Sequence, residues 1–211
     1  MIEALGLRVS LRGSTILRGV TLKVGKGQIA ALVGPNGAGK TTTLKSIMGL
    51  VEYEGTVKLD GVILDGLRPH ERAKRGLGYS PEDRRLFPRL TVLENLILPA
   101  VALGLKEDRV ELAFSLMPVL KELRNKRADV LSGGQQKLVA LARAFVVGTS
   151  AVLLDEIFEG LSPKMRDDVA GIVREFVRTT NAAVLLAESN GEYVKWADSI
   201  FRINRGALQQ G

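Results

Sequence analysis

The sequence predicts an α/β fold: a mostly parallel core sheet, an antiparallel β-element at the N-terminus, and a helical subdomain inserted into the sheet domain. Three observations predict it. Short apolar runs at residues 28–33, 151–154 and 183–187 read as buried parallel strands. Helical periodicity follows the first run, where Leu44, Ile47 and Met48 fall on one side of the stretch Lys40 to Leu50. A glycine-rich turn joins that strand to that helix.

The chain has 211 residues, enough for one domain with a full core. It is expected to form a catalytic core from about 1–87 and 131–211, with the helical subdomain at about 88–130. A hydrophobic share of 45% and a charged share of 25% are ordinary for a soluble globular protein. There is no apolar run of membrane-spanning length, and the N-terminus lacks the pattern of a signal peptide, so a cytoplasmic location is expected. With no cysteine, disulfides, thiol catalysis and cysteine metal sites are excluded. The net charge of +7 could serve nucleic acid, anionic lipid or a polyanionic nucleotide. Basic clusters at 72–75, 84–89 and 121–127 hold a single aromatic, Phe87, and no stacking platform, so they read as solvated surface and no nucleic acid partner is expected.

Residues 1 to 25 alternate and turn at Arg12-Gly13-Ser14, which reads as two or three short strands. The next nine residues of note are Gly34, Pro35, Asn36, Gly37, Ala38, Gly39, Lys40, Thr41 and Thr42, which match the phosphate-binding pattern G-x-x-x-x-G-K-[ST]. Glycines let successive N–H groups point at a polyphosphate, and the helix N-terminus adds its positive end. Lys40 would reach the β- and γ-phosphates and Thr41 would ligate Mg²⁺. The expected ligand is a nucleoside triphosphate.

Residues 55–64 read as a hairpin turning at Asp60-Gly61. Leu77 to Ser80 is a short strand, and 82–88 is a charged loop between prolines. Thr91 with Glu94 forms a capping-box pattern ahead of an apolar segment interrupted by Pro99. A second helix is expected from about Glu107 to Leu123, kinked at Pro118. The apolar segment serves either the packing of this subdomain or a partner-docking face. Leu131-Ser132-Gly133-Gly134-Gln135-Gln136 opens a helix, and its paired glycines make a second anion site. Helix Lys164 to Arg178 and strands to about Asn204 complete the chain. The run 151–154 ends in Asp155-Glu156; Asp155 would hold Mg²⁺ opposite Thr41, and Glu156 could accept a proton from the attacking water.

With these three motifs in this order, the sequence resembles the ATP-binding cassette (ABC) ATPases, a P-loop NTPase type, over essentially its whole length. The resemblance implies ATP and Mg²⁺ as cofactors and a head-to-tail dimer with a second ABC ATPase subunit, identical or not. Ser132, Gly133, Gly134 and Gln135 would then meet the nucleotide held by the partner's Lys40. Several positions depart from the family pattern. Glu82 replaces a loop Gln that contacts the metal site, Ile157 follows the Asp-Glu pair in place of Pro, and Leu161-Ser162 stands where Leu-Asp is usual. Ser189 occupies the place of a switch His, and Arg12 that of an adenine-stacking aromatic. The runs 81–95, 159–163 and 188–190 are similar to the ATP-binding subunits of branched-chain amino acid importers. Membrane permease subunits, a seat on the inner face of the cell membrane, and ATP hydrolysis coupled to import are what this implies. A soluble or regulatory ABC-type ATPase low in hydrolysis is the alternative that Glu82, Ile157 and Ser189 leave open.

Overall fold

The computed structural model describes residues 1–106 and 108–209. Alternation at the N-terminus yields two long strands rather than several short ones: β1 (Ile2–Leu11) and β2 (Ser14–Val24), paired antiparallel around the Arg12-Gly13 turn. Ile2 and Ala4 face inward, then Leu7 and Val9, so the alternation skips a residue. A register shift between Ala4 and Leu7 absorbs the extra residue, with Gly6 at a φ of 65°. After β3 (Ile29–Val33) comes α1 (Lys40–Met48). β4 (Glu54–Leu59) and β5 (Val62–Ile63) form the expected hairpin, with both Asp60 and Gly61 at positive φ in its two-residue turn. These four strands make one sheet in the order β2-β1-β4-β5.

A short helix that the sequence reading omitted, α2 (Pro69–Lys74), follows, with Pro69 at its first turn and Glu71 bonded back to the Arg68 N–H at 2.8 Å. Arg72 departs from the solvated surface expected of its cluster. It is 2% exposed and donates to the Ser46 and Ile47 carbonyls at 3.0 and 2.8 Å, satisfying the C-terminus of α1. β6 (Leu77–Ser80) is the edge of the second sheet.

In the helical region, Thr91 accepts from the Glu94 N–H and caps α3 (Val92–Leu103). This helix runs through Pro99 instead of stopping there. A proline inside a helix costs roughly 3 kcal/mol; Val92, Leu96 and Ala100, buried in the same core cluster as the apolar face of α6, offset it. The expected single helix to Leu123 is instead two, α4 (Asp108–Leu116) and α5 (Pro118–Glu122). Met117 leaves helical geometry at φ −132° and ψ 72°, and Pro118 starts the second helix rather than kinking the first. The expected start at Glu107 lies outside the described residues.

α6 (Gly133–Val147), β7 (Ala151–Asp155), α7 (Pro163–Thr180), β8 (Ala183–Glu188), β9 (Ser199–Asn204) and β10 (Ala207–Leu208) complete the chain. The second sheet has the order β10-β9-β3-β8-β7-β6 and is parallel except for β10. Period-2 alternation divides its core. Ala30, Leu32, Leu153 and Leu185 pack toward α1 and the antiparallel sheet. Ala31, Val152, Leu154, Val184 and Leu186 pack toward α3, α4, α6 and α7, where Phe145 stacks on Phe176 at 3.9 Å between ring centres. Two filled faces fix the central strands, so their carboxyl ends form a rigid rim. Among the described residues, no helix is long and apolar enough to cross a membrane.

Candidate functional site

At that rim, β3 ends in the glycine loop and α1 begins. Gly34 is required by space: a Cβ there would sit 2.2 Å from the Ile203 carbonyl oxygen. Gly39 is required by conformation, with φ 109° at the entry to α1. Lys40 is 5% exposed and its Nζ donates to the Gly34 carbonyl at 2.8 Å, to the Pro35 carbonyl at 3.2 Å and to Ser189 Oγ at 3.0 Å. The same nitrogen lies 3.2 Å from Glu156 Oε1.

Asp155 ends β7 and is 1% exposed. It accepts from Thr41 Oγ1 at 3.1 Å and from the Tyr79 hydroxyl at 3.3 Å. Burial pushes its carboxyl up to about 6 despite those two hydrogen bonds, and the charges of Glu156 and Glu82 add to the rise. Glu156 stands one residue past the strand in the left-handed region, at φ 48°. Its carboxylate accepts from the Ser189 N–H at 3.1 Å and from Ser189 Oγ at 2.5 Å. Burial alone would raise its pKa, but these bonds, with others from Glu188 and Lys40, hold it below the ordinary carboxylate range. Ser189 Oγ also lies 2.7 Å from Asn36 Oδ1, which ties the end of β8 to the glycine loop.

These groups line one cleft of about 590 Å³. The structure brings Asn36, Gly37, Gly39, Lys40, Thr41, Thr42, Glu82, Glu156 and Ser189 to its wall, with Gly34, Pro35 and Ala38 in the loop behind and Asp155 beneath Thr41. Arg12 is not among the lining residues; it sits on the β1–β2 turn at φ 51°, and Ile16 lines the cleft instead. Ser132, Gly133, Gly134 and Gln135 lie outside the cleft, at the N-terminus of α6. There Ser132 and Gln135 cap one another at 3.0 and 3.3 Å.

Sequence reasoning gave no role to three residues of this region. Tyr79 reaches Asp155 from β6. Lys137 of α6 donates to the carbonyls of Glu156 (3.2 Å) and Glu159. Glu188, at the end of β8, is 1% exposed and accepts from the Phe158 N–H at 3.1 Å. Burial first, then the neighbouring Glu156 charge, pushes the Glu188 pKa up to about 9. An acidic residue at the end of a wholly apolar strand was the signal that could have found it.

The arrangement has the parts to bind a polyphosphate and activate water beside it: a glycine loop leading into a helix N-terminus, a buried cation and an ionised carboxylate. Comparisons with known proteins agree. The family model described as ABC transporter matches residues 17–159, more than half of the chain. A probable branched-chain amino acid transport ATP-binding protein, LivF of Archaeoglobus fulgidus, is 35% identical over 90% of this chain and 82% of its own length. The lipopolysaccharide export ATP-binding protein LptB of Haemophilus influenzae is also 35% identical, over 90% and 80%. The solved structure of an ATP-binding subunit of an ABC transporter superposes with a TM-score of 0.87 at 29% identity, covering 100% of this chain and 88% of that one. A dimeric bacterial cassette at 23% identity and a TM-score of 0.89 shares the fold. The phosphate cleft thus stands on a scaffold matched along its length, and the chain belongs to the ABC transporter family of ATPases.

Proposed function

We propose that this chain is the ATP-hydrolysing subunit of an importer for branched-chain or related amino acids. The observation that carries the catalytic part is the meeting of Lys40, Thr41 and Glu156 in one cleft, with Asp155 hydrogen-bonded to Thr41 beneath it. ATP phosphates would lie on loop N–H groups such as those of Gly37, Gly39 and Lys40, since those of Gly34 and Ala38 already bond the Glu188 and Pro35 carbonyls, and would take over the Lys40 ammonium. Glu156, kept ionised by Ser189, would accept the proton of the attacking water. Thr41, Asp155 and Glu82 offer hard oxygen donors suited to Mg²⁺; burial first, then the charges of Glu156 and Glu82, raises the Asp155 carboxyl, and a bound cation would favour its anion. Among the described residues no group of three His, Cys, Asp or Glu could hold a metal alone, so phosphate oxygens would complete the shell. Mg²⁺ bound there supplies charge neutralisation for phosphoryl transfer.

Ser132 and Gly133 are exposed and lie outside the chain's own cleft, which supports a head-to-tail dimer in which they face the partner's nucleotide. Arg84 donates to Gln136 Oε1 at 2.8 Å and Arg143 to the Arg85 carbonyl at 2.7 Å. The loop that carries Glu82 into the cleft is thereby fastened to α6. We infer that this loop, with exposed Ile97, Leu98 and Val101 on α3, passes closure to membrane permease subunits on the inner face of the cell membrane.

LivF and BraF-type relatives, the latter 32% identical over 98% of the chain, favour amino acid import; LptB favours a second reading, lipopolysaccharide export. Steady-state hydrolysis by the purified chain that vanishes in Glu156→Gln supports the catalytic reading, and turnover persisting in that variant removes Glu156 from the role of base. Absent turnover in both would point to an obligatory partner, either a second cassette or the permease subunits, or to the regulatory alternative. Depleting the chain in its own cell and following uptake of labelled leucine, isoleucine and valine separates the transport readings. Unchanged uptake with defective surface lipid would favour export.

A further inference from the structure

Lys137 stands on α6 one turn beyond Gly133, and nothing in the proposed chemistry uses it. It does not line the phosphate cleft. Its Nζ donates instead to the Glu156 carbonyl at 3.2 Å and to the Glu159 carbonyl. Among the described residues no other donor reaches either carbonyl. Burial holds the Lys137 pKa below the ordinary lysine value, as expected of an ammonium partly withdrawn from water. One cation thus spans the first and fourth residues of the segment that follows Asp155. Glu156 needs such support, because its backbone lies in the left-handed region at φ 48°, which a residue with a side chain keeps only where neighbours enforce it. On its amino side the Glu156 N–H donates to the Ala187 carbonyl at 2.9 Å, a tie to β8. On its carboxyl side the tie is Lys137. Phe158, two residues on, is seated by its own burial and by the bond from its N–H to Glu188.

We propose that Lys137 is a positioning residue for Glu156: it holds the backbone of 156–159 against α6 and so fixes the direction in which the Glu156 carboxylate enters the cleft. The proposal rests on Glu156 being the base. The side-chain contacts of Glu156 cannot do this throughout turnover. A phosphate arriving at Lys40 draws away the cation that holds Glu156, and Ser189 Oγ, which also accepts from Lys40, is drawn into the same exchange. The Ser189 N–H remains, but it orients a single oxygen. The Lys137 bonds run to backbone oxygens from a residue off the cleft wall, so they compete with no phosphate contact and persist when nucleotide arrives.

The test uses Lys137→Met, Lys137→Arg and Glu156→Gln in the full chain, in whichever assembly hydrolyses ATP, alone or with partner subunits. Methionine roughly keeps the length of the side chain and donates nothing, whereas arginine can donate to both carbonyls. A misplacement of about 1 Å at a reacting group costs roughly 100-fold. Lys137→Met should therefore lower kcat about 10- to 100-fold, with KM and Kd for ATP within about threefold of the parent. Lys137→Arg should return kcat to within about fivefold of the parent. A residue that acts only through Glu156 has nothing left to do once the base is gone, so adding Lys137→Met to Glu156→Gln should slow its residual single-turnover rate no further. An unchanged kcat in Lys137→Met while Glu156→Gln is inactive overturns the proposal and leaves the base reading intact. Loss of ATP affinity in step with kcat, no recovery in Lys137→Arg, or a further drop in the double variant also overturns it, since each marks Lys137 as a support of the cleft as a whole. Full turnover by Glu156→Gln removes the base reading, and the proposal with it.

Discussion

Lys40 Nζ stands 3.2 Å from Glu156 Oε1, and the two side chains are 5% and 10% exposed. In this structure the cation that should receive phosphate is therefore already occupied by the carboxylate that should take the proton of the attacking water beside it. Ser189 contacts both and keeps them together.

Because ATP must displace Glu156 from Lys40, Glu156→Gln should bind ATP more tightly as well as fail to hydrolyse it. Removing one charge-assisted contact that competes with phosphate is expected to lower Kd up to about tenfold, near 1.4 kcal/mol. Equilibrium titration with ATP, run beside hydrolysis, checks both halves. Lys40→Ala should lose ATP affinity and unfold at lower denaturant, by about 1–3 kcal/mol, since Glu156 then keeps only its Ser189 and Glu188 partners.

Gly34→Ala should fail for a steric reason that no ligand can relieve. The added Cβ would meet the Ile203 carbonyl oxygen at 2.2 Å, a backbone atom of β9 paired with Leu208 of β10. A cost of roughly 3 kcal/mol or more is expected from overpacking at a rigid neighbour, read as a lowered thermal midpoint together with lost nucleotide binding.

Arg72→Met should destabilise the chain by about 2–4 kcal/mol, by removing the donor of the Ile47 and Leu67 carbonyls and one of the two donors to that of Ser46. Arg72→Lys should recover little, because one ammonium cannot reproduce the planar fork that also meets Tyr53 at 3.0 Å. Denaturant midpoints of the two variants decide this.

Glu188 predicts a pH dependence of stability. Its pKa rises from 4.5 to about 9 on folding, so between those values the native chain holds a proton that the unfolded chain releases. Stability contributed by the neutral acid is therefore full below about pH 4.5 and is lost as pH rises toward 9, at up to about 1.4 kcal/mol per pH unit. Glu188→Gln should remove this slope. Unfolding of parent and variant at several pH values, compared as differences, isolates it.

Much of the fold was legible because its signals are local. The period-2 strands, the Asp60-Gly61 turn and the Thr91–Glu94 cap each depend on residues within a few positions of one another. The errors arose where distant packing overrides local preference. Pro99 stays within α3 because α6 packs behind that helix, and Arg72 is drawn inside by the unsatisfied end of α1.

By itself the sequence determined the phosphate loop, the strand ending in Asp155-Glu156 and the second glycine-capped helix, since each motif is contiguous and carries its own backbone geometry. Only the tertiary structure decided which side chains share the cleft. It placed Ser189 between Lys40 and Glu156, left Arg12 off the wall, and brought Glu188 to the same cleft as Glu156. Those outcomes depend on strand order: β3, β8 and β7 lie side by side although more than a hundred residues separate the first from the others, and their carboxyl ends converge only when the sheet forms.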